Sequence, residues 1–200
     1  MFGKKEGSQS MKHLLNSLLG LFFALLFCGA TSVSEMCFEN MPPPQDACFS
    51  PIYSTIPFAL PLKEARLTSP FGYRYHPISG QLDFHYGLDL AAPEKTPIYA
   101  AVGGVVRISD CHDSYGNYMV IDHFNGFSTL YAHCSKLLAK EGDLVCRGEK
   151  IALVGQTGEA TGSHLHFEVR LNGIKYDPLW ILGNGEKVTL IPEPERTVLS

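Results

Sequence analysis

Histidines and one aspartate carry the chemistry of this chain. His164 and His166 stand two apart in His164-Leu165-His166. On an extended strand that spacing places both side chains on one face, with Cα atoms about 6.6 Å apart. One can then bind a metal while the other reaches a water beside it. A half-exposed sheet face with two hydrogen-bonded histidines would give the same pattern. His85 and Asp89 lie four apart, a separation that invites comparison with the helical H-E-x-x-H zinc site. The comparison fails, because Gly87 lies between them, no Glu follows His85, and Ala91-Ala92-Pro93 cuts off a helix. Fully extended chain would separate their Cα atoms by about 13 Å. A shared metal therefore requires a bend, which Gly87 can supply. His133 closes Leu130-Tyr131-Ala132-His133, where by itself it reads as a core or rim histidine. The small-residue run from Gly155 to Ser163 leads into the histidine pair, and it has neither the G-K-[ST] of a P-loop nor a dinucleotide fingerprint.

The elements that must position these residues read as strands. Short apolar, β-branched runs cover Pro97 to Ile108, Asn117 to His123, Phe127 to His133, Lys150 to Val154 and His164 to Leu171. Alternation in the second and third sends neighbouring side chains to opposite faces of a sheet. Asn125-Gly126 and Asn172-Gly173 separate such runs and suit hairpin turns with positive φ. The expected fold class is all-β: a single antiparallel sheet domain over residues 67–182, with the site in a groove over one sheet face. Residues 31–66, rich in proline, are expected to be a linker, and 183–200 a loosely ordered tail. The length of 200 residues suits one such domain and excludes two large ones.

Residues 1–30 read as an export signal or membrane anchor. Lys12 and His13 precede a nearly unbroken apolar stretch, residues 14–28, and small residues follow it. Cleavage after Ala30, lipidation at Cys28 and retention as a helical anchor all fit this layout. Each would place the domain in the periplasm or cell envelope, where disulfides can form. A local Cys37–Cys48 bridge would suit the proline-rich stretch, and the disulfide pairing stays open. In a meander, Cys111 and Cys134 would lie two strands apart, about 9.5 Å, too far to bridge unless the 111–116 loop folds over. No C-x-x-C pair supports a thiolate metal site. The net charge of −4 becomes −6 once residues 1–30 are set aside, which argues against a nucleic-acid partner held by phosphate contacts.

Five segments taken together carry a resemblance. FGYRYHPISG (71–80), FHYGLDLAAP (84–93), YGNYMVIDH (115–123), LYAH (130–133) and GQTGEATGSHLHFEVR (155–170) resemble, in order and spacing, the lysostaphin-type zinc endopeptidases, the LytM-like peptidases of bacterial cell walls. The likeness spans residues 68–182. It implies one Zn²⁺ held by His85, Asp89 and His166, with His133 and His164 as unligated catalytic histidines beside it. It also implies a peptidoglycan peptide as substrate, cut by metal-activated water. The alternative is a catalytically silent scaffold or activator of other wall hydrolases; such forms lose ligands, and here all five positions are filled. A cupin would need a histidine downstream of His166, and a zinc deaminase a P-C-x-x-C; neither is present. His76 is a candidate substrate contact, and Glu168 shares the face of His166 and could hydrogen-bond it. His112 and His123 read as turn or strand-end residues.

Overall fold

The computed structural model describes residues 41–182. The expected export segment, Cys37, the first part of the expected linker and the expected tail 183–200 lie outside the described residues.

The β-branched runs form strands in one large antiparallel sheet. At its centre, β12 (His164–Leu171) pairs along one edge with β9 (Phe127–Leu137). Its other edge takes β5 (Leu88–Ala91) and then β13 (Ile174–Tyr176). Beyond β9 the meander continues through β8 (Gly116–Asp122), β7 (Gly104–His112) and β10 (Leu144–Val145). β2 (Arg66–Ser69) flanks β5, and β11 (Lys150–Val154) joins β6 (Pro97–Tyr99) to β9. A separate two-stranded ribbon, β3 (Gly72–Tyr75) and β4 (Leu82–His85), leads into β5. Helix α1 (Leu179–Leu182) follows β13. The run expected as one strand from Pro97 is two, because the chain leaves the sheet between Tyr99 and Gly104.

Alternation sorts the two faces. Leu88, Leu90, Tyr131, Leu165, Phe167 and Val169 point into the main core and are almost wholly buried. Their neighbours Asp89, Ala132, His166 and Glu168 point to the opposite face. Asn172 and Gly173, both at positive φ (50° and 85°), make the tight turn between β12 and β13.

The linker expectation is corrected from Pro43 on. Ala47–Cys48 forms β1, parallel to β13, and Lys175 pairs with Asp46. Ile52, Phe58 and Leu62 are buried in the main core. Proline blocks ladder formation without preventing single apolar side chains from docking. Backbone groups of this segment bond to the rest of the domain: Ala59 N–H donates to the Ala101 carbonyl (2.8 Å), and Tyr99 N–H at the end of β6 donates to that of Pro61 (2.9 Å). Among the described residues, Cys48, Cys111, Cys134 and Cys146 form no disulfide with one another. Cys111 and Cys134 both stand opposite Asn117, on its two sides, so two strand spacings separate them as the meander requires.

Candidate metal centre

Sheet register assembles the site. Asp89 on β5 stands between Ser69 of β2 and His166 of β12. His85 ends β4, and Tyr86-Gly87 turn the chain into β5, so His85 and Asp89 meet as the bend requires. Gly87 is glycine for a further reason. Its φ is not left-handed. A Cβ there would be driven into the Phe167 carbonyl oxygen and lie 3.0 Å from both His166 Cε1 and Glu168 Cγ. The backbone before β5 packs directly on β12.

His133 is not at a strand end; β9 runs on to Leu137. It occupies a bulge: between the pairs Met119–Tyr131 and Asn117–Cys134, β9 has two residues facing one on β8. Its φ of 60° is left-handed, an uncommon state for a non-glycine residue. The bulge turns its ring beside His164, with centroids 4.6 Å apart.

Hydrogen bonds assign the histidine nitrogens. His85 Nδ1–H donates to the Pro70 carbonyl (2.7 Å), and His166 Nε2–H to Glu168 Oε1 (3.1 Å). His85 Nε2 and His166 Nδ1 then present lone pairs, 3.0 Å apart, and Asp89 Oδ1 lies 3.0 and 2.9 Å from them. Three buried acceptors in a triangle repel one another unless a cation or an added proton joins them. A tetrahedral Zn²⁺ with bonds of about 2.0–2.1 Å has ligand–ligand edges of about 3.3 Å. The triangle, with all donor atoms within 4.8 Å of one another, is thus of the right size and donor type for such an ion.

Electrostatics agrees. Burial opposes protonation of His166, but hydrogen bonds to Asp89 and Glu168 prevail and raise it to about 9. A metal entering here displaces that proton. Burial lowers His85 despite Asp89. Burial would raise Asp89, yet His166 and His85 hold it far below the usual carboxylate range. Glu168 is fully buried; burial would raise it, but His166 and Arg170 bring it down to about 2. Arg170 Nε donates to its Oε2 (2.8 Å) and Tyr115 OH to its Oε1 (2.8 Å). His133 Nδ1–H donates to the Thr157 carbonyl (2.9 Å) and His164 Nδ1–H to that of Gly162 (2.8 Å). Each Nε2 is left with a lone pair, and that of His164 is 3.7 Å from Asp89 Oδ1. Burial lowers His133 to about 4, although the Thr157 carbonyl favours its charged form.

All five histidine and aspartate positions singled out from the sequence meet here, at a groove of about 180 Å³ that His76 also lines. His112 is exposed. His123 follows β8 but is buried, bonded to the Gly103 carbonyl (3.0 Å) and meeting Thr129 Oγ1 (2.9 Å). Three supporting residues escaped sequence reasoning: Arg74, which donates to Asp89 Oδ2 (2.8 Å) and Ser69 Oγ (2.6 Å), Tyr115, and Thr157. All three lie inside the motifs, but no spacing ties them to their partners.

A model of peptidase family M23 matches residues 83–178. Over 137 residues the chain is 44% identical to the DD-carboxypeptidase/endopeptidase Mpg of Neisseria meningitidis, covering 68% of this chain and 30% of that protein. It is 44% identical over 119 residues to the peptidoglycan DD-endopeptidase ShyC of Vibrio cholerae, covering 59% and 28%. The chain thus spans under a third of the length of these relatives. Among solved structures, a zinc-containing peptidase from Vibrio cholerae superposes with a TM-score of 0.57 at 43% identity, over 60% of this chain and 39% of that one. A point mutant of the catalytic domain of the prophage-encoded M23 protein EnpA from Enterococcus faecalis does so with a TM-score of 0.51 at 31% identity, over 65% and 95%.

Proposed function

Because the chain belongs to peptidase family M23, we propose that it is a zinc endopeptidase cutting peptide bonds in the stems or cross-bridges of peptidoglycan. The observation that carries this reading is the buried acceptor triangle of His85, Asp89 and His166, with His133 and His164 beside it in an open groove. The relatives named above, one a peptidoglycan DD-endopeptidase, support the substrate class.

His85, Asp89 and His166 are the metal ligands in this proposal. When bound, zinc supplies Lewis acidity toward water and the scissile carbonyl. The protein's own groups handle the protons. His133 and His164, each fixed through Nδ1–H to a backbone carbonyl, keep Nε2 ready to accept one. Between them they take the proton from the attacking water and return it to the leaving amine. Burial keeps His133 neutral near pH 7, the state an acceptor needs. Glu168 and Arg74 orient the ligands from outside, through His166 and Asp89.

The same proposal places the enzyme in the periplasm or cell envelope, delivered by the apolar segment 14–28, with membrane attachment through that segment if it is retained. The zinc-loaded protein should release peptide fragments with new amino termini from isolated cell walls, resolved by chromatography and mass spectrometry. Release of sugar fragments alone, or of nothing, would contradict it.

A further inference from the structure

The turn that introduces β1 reaches back toward the metal centre. Ala47 N–H donates to the Pro44 carbonyl (3.0 Å), closing a turn that sets Asp46 beside β13. There it meets Lys175. The Lys175 N–H donates to the Asp46 carbonyl (2.9 Å), and the Lys175 ammonium pairs with the Asp46 carboxylate. Held in this way, Lys175 Nζ lies 4.5 Å from the centre of the Tyr86 ring, a cation–π contact. Phe49, just past β1, makes a second link. Its ring centre is 5.6 Å from that of Phe84, which in turn lies 5.2 Å from that of Tyr86.

The position of Tyr86 gives these contacts their interest. It follows His85, precedes Gly87, and lines the groove together with His133 and His164. Register places the charges on the same side. Lys175 on β13 stands opposite Arg170 on β12, and so shares a sheet face with Arg170, Glu168 and His166. Arg170 is paired with Glu168, which leaves Asp46 as the carboxylate that pairs with Lys175 among the described residues. Without Asp46, a second cation would stand directly opposed to Arg170, and like charges so placed repel. The ammonium would then have no paired carboxylate to keep it over the Tyr86 ring.

We propose that Asp46 is a positioning residue of the peptidase: through Lys175 it fixes the Tyr86 ring as a wall of the groove, against which the substrate peptide packs. The inference rests on the peptidase reading of the groove. Of the contacts that hold the ring, Phe84 is apolar and buried, whereas the Lys175 contact depends on a charge pair that one substitution removes. A displaced ring weakens the grip on substrate. The proposed ligands stay in place, because His85, Asp89 and His166 are oriented by the Pro70 carbonyl, Arg74 and Glu168. The effect of losing Asp46 therefore falls on KM, with kcat and zinc content little changed. The segment 43–48, expected from its prolines to be linker, is on this account a working part of the site.

The test is a double-mutant cycle on the zinc-loaded full chain, with kcat and KM measured on one synthetic cross-linked stem peptide. Asp46→Ala should raise KM about three- to tenfold, the range allowed by losing one partly exposed cation–π contact. Asp46→Glu, which keeps the charge, should fall between the two. In a Tyr86→Leu background, where the ring is gone, Asp46→Ala should change KM by less than about twofold. Melting temperature and zinc content confirm that each variant folds, and Asp46→Asn, nearly the same shape, replaces the alanine variant if that one does not. An unchanged KM in Asp46→Ala overturns the proposal. So does an equal rise in the Tyr86→Leu background, which would show that Asp46 acts by another route, or a loss of bound zinc, which would make it a support of the metal ligands. If the native protein cuts no such peptide, the peptidase reading fails. Calorimetry with the same peptide then still decides the role of Asp46, equal affinities of native protein and Asp46→Ala overturning it.

Discussion

Replacing Gly87 with alanine tests whether the metal centre depends on the contact between the turn before β5 and β12. The added methyl would lie 3.0 Å from His166 Cε1, against an ordinary contact of at least 3.4 Å, and would press on the Phe167 carbonyl as well. The His166 ring must give by about 0.4 Å, twice the roughly 0.2 Å that zinc–ligand distances tolerate. Backbone on one side and the buried Glu168 on the other leave it little room. Overpacking of this kind costs about 1–3 kcal/mol. At about 2–4 °C per kcal/mol for a chain of this size, the unfolding midpoint of the metal-free protein should fall by roughly 2–12 °C. Zinc affinity, measured by competition with a chelating dye, should fall about 10- to 100-fold, as when ligand orientation is disturbed. An unchanged midpoint together with unchanged zinc affinity would refute the reasoning, leaving Gly87 as a bend residue only.

Further outcomes follow from the same geometry. Zinc uptake at pH 7 should release about one proton, because His166 without metal is protonated up to about 9; calorimetry in buffers of different ionisation enthalpy measures it, and affinity should climb with pH toward that value. Glu168→Gln should cost about 3–5 kcal/mol by leaving Arg170 and His166 without a buried carboxylate. The wild-type Glu168 falls from 4.5 to about 2 on folding, so its contribution is full above 4.5 and fades as pH drops toward 2; denaturant titrations should show the gap between the two proteins narrowing over that range. Removing His133 or His164 as alanine should lower turnover about 10²- to 10⁴-fold while zinc stays bound, which metal analysis of the purified variants checks.

The strands, the hairpin turn at Asn172-Gly173 and the all-β class were legible because alternation and turn residues are local signals. The meeting of His164 with His166 on one face follows from the two-residue period. Other features depend on contacts distant in sequence. The left-handed bulge at His133 belongs to the register of β9 against β8, and it lies where β9 leaves β12 at Ala132 and meets β11 at Cys134. Arg74 reaches Asp89 because the ribbon folds over β5. The segment 43–66 hid its buried Ile52, Phe58 and Leu62 among prolines, since isolated docking side chains have no period. Gly87 was legible as a bend, whereas its close approach to Phe167 required the register of β12.

Titrating zinc into metal-free protein, with wall-cleaving activity read on the same samples, tests the central claim most directly. Activity should rise in proportion to bound zinc and saturate at about one ion per chain, as a three-ligand catalytic site requires, while His166→Ala neither retains zinc nor cleaves. Full activity without metal, or in His166→Ala, would contradict the assignment of His85, Asp89 and His166 as the proposed metal centre.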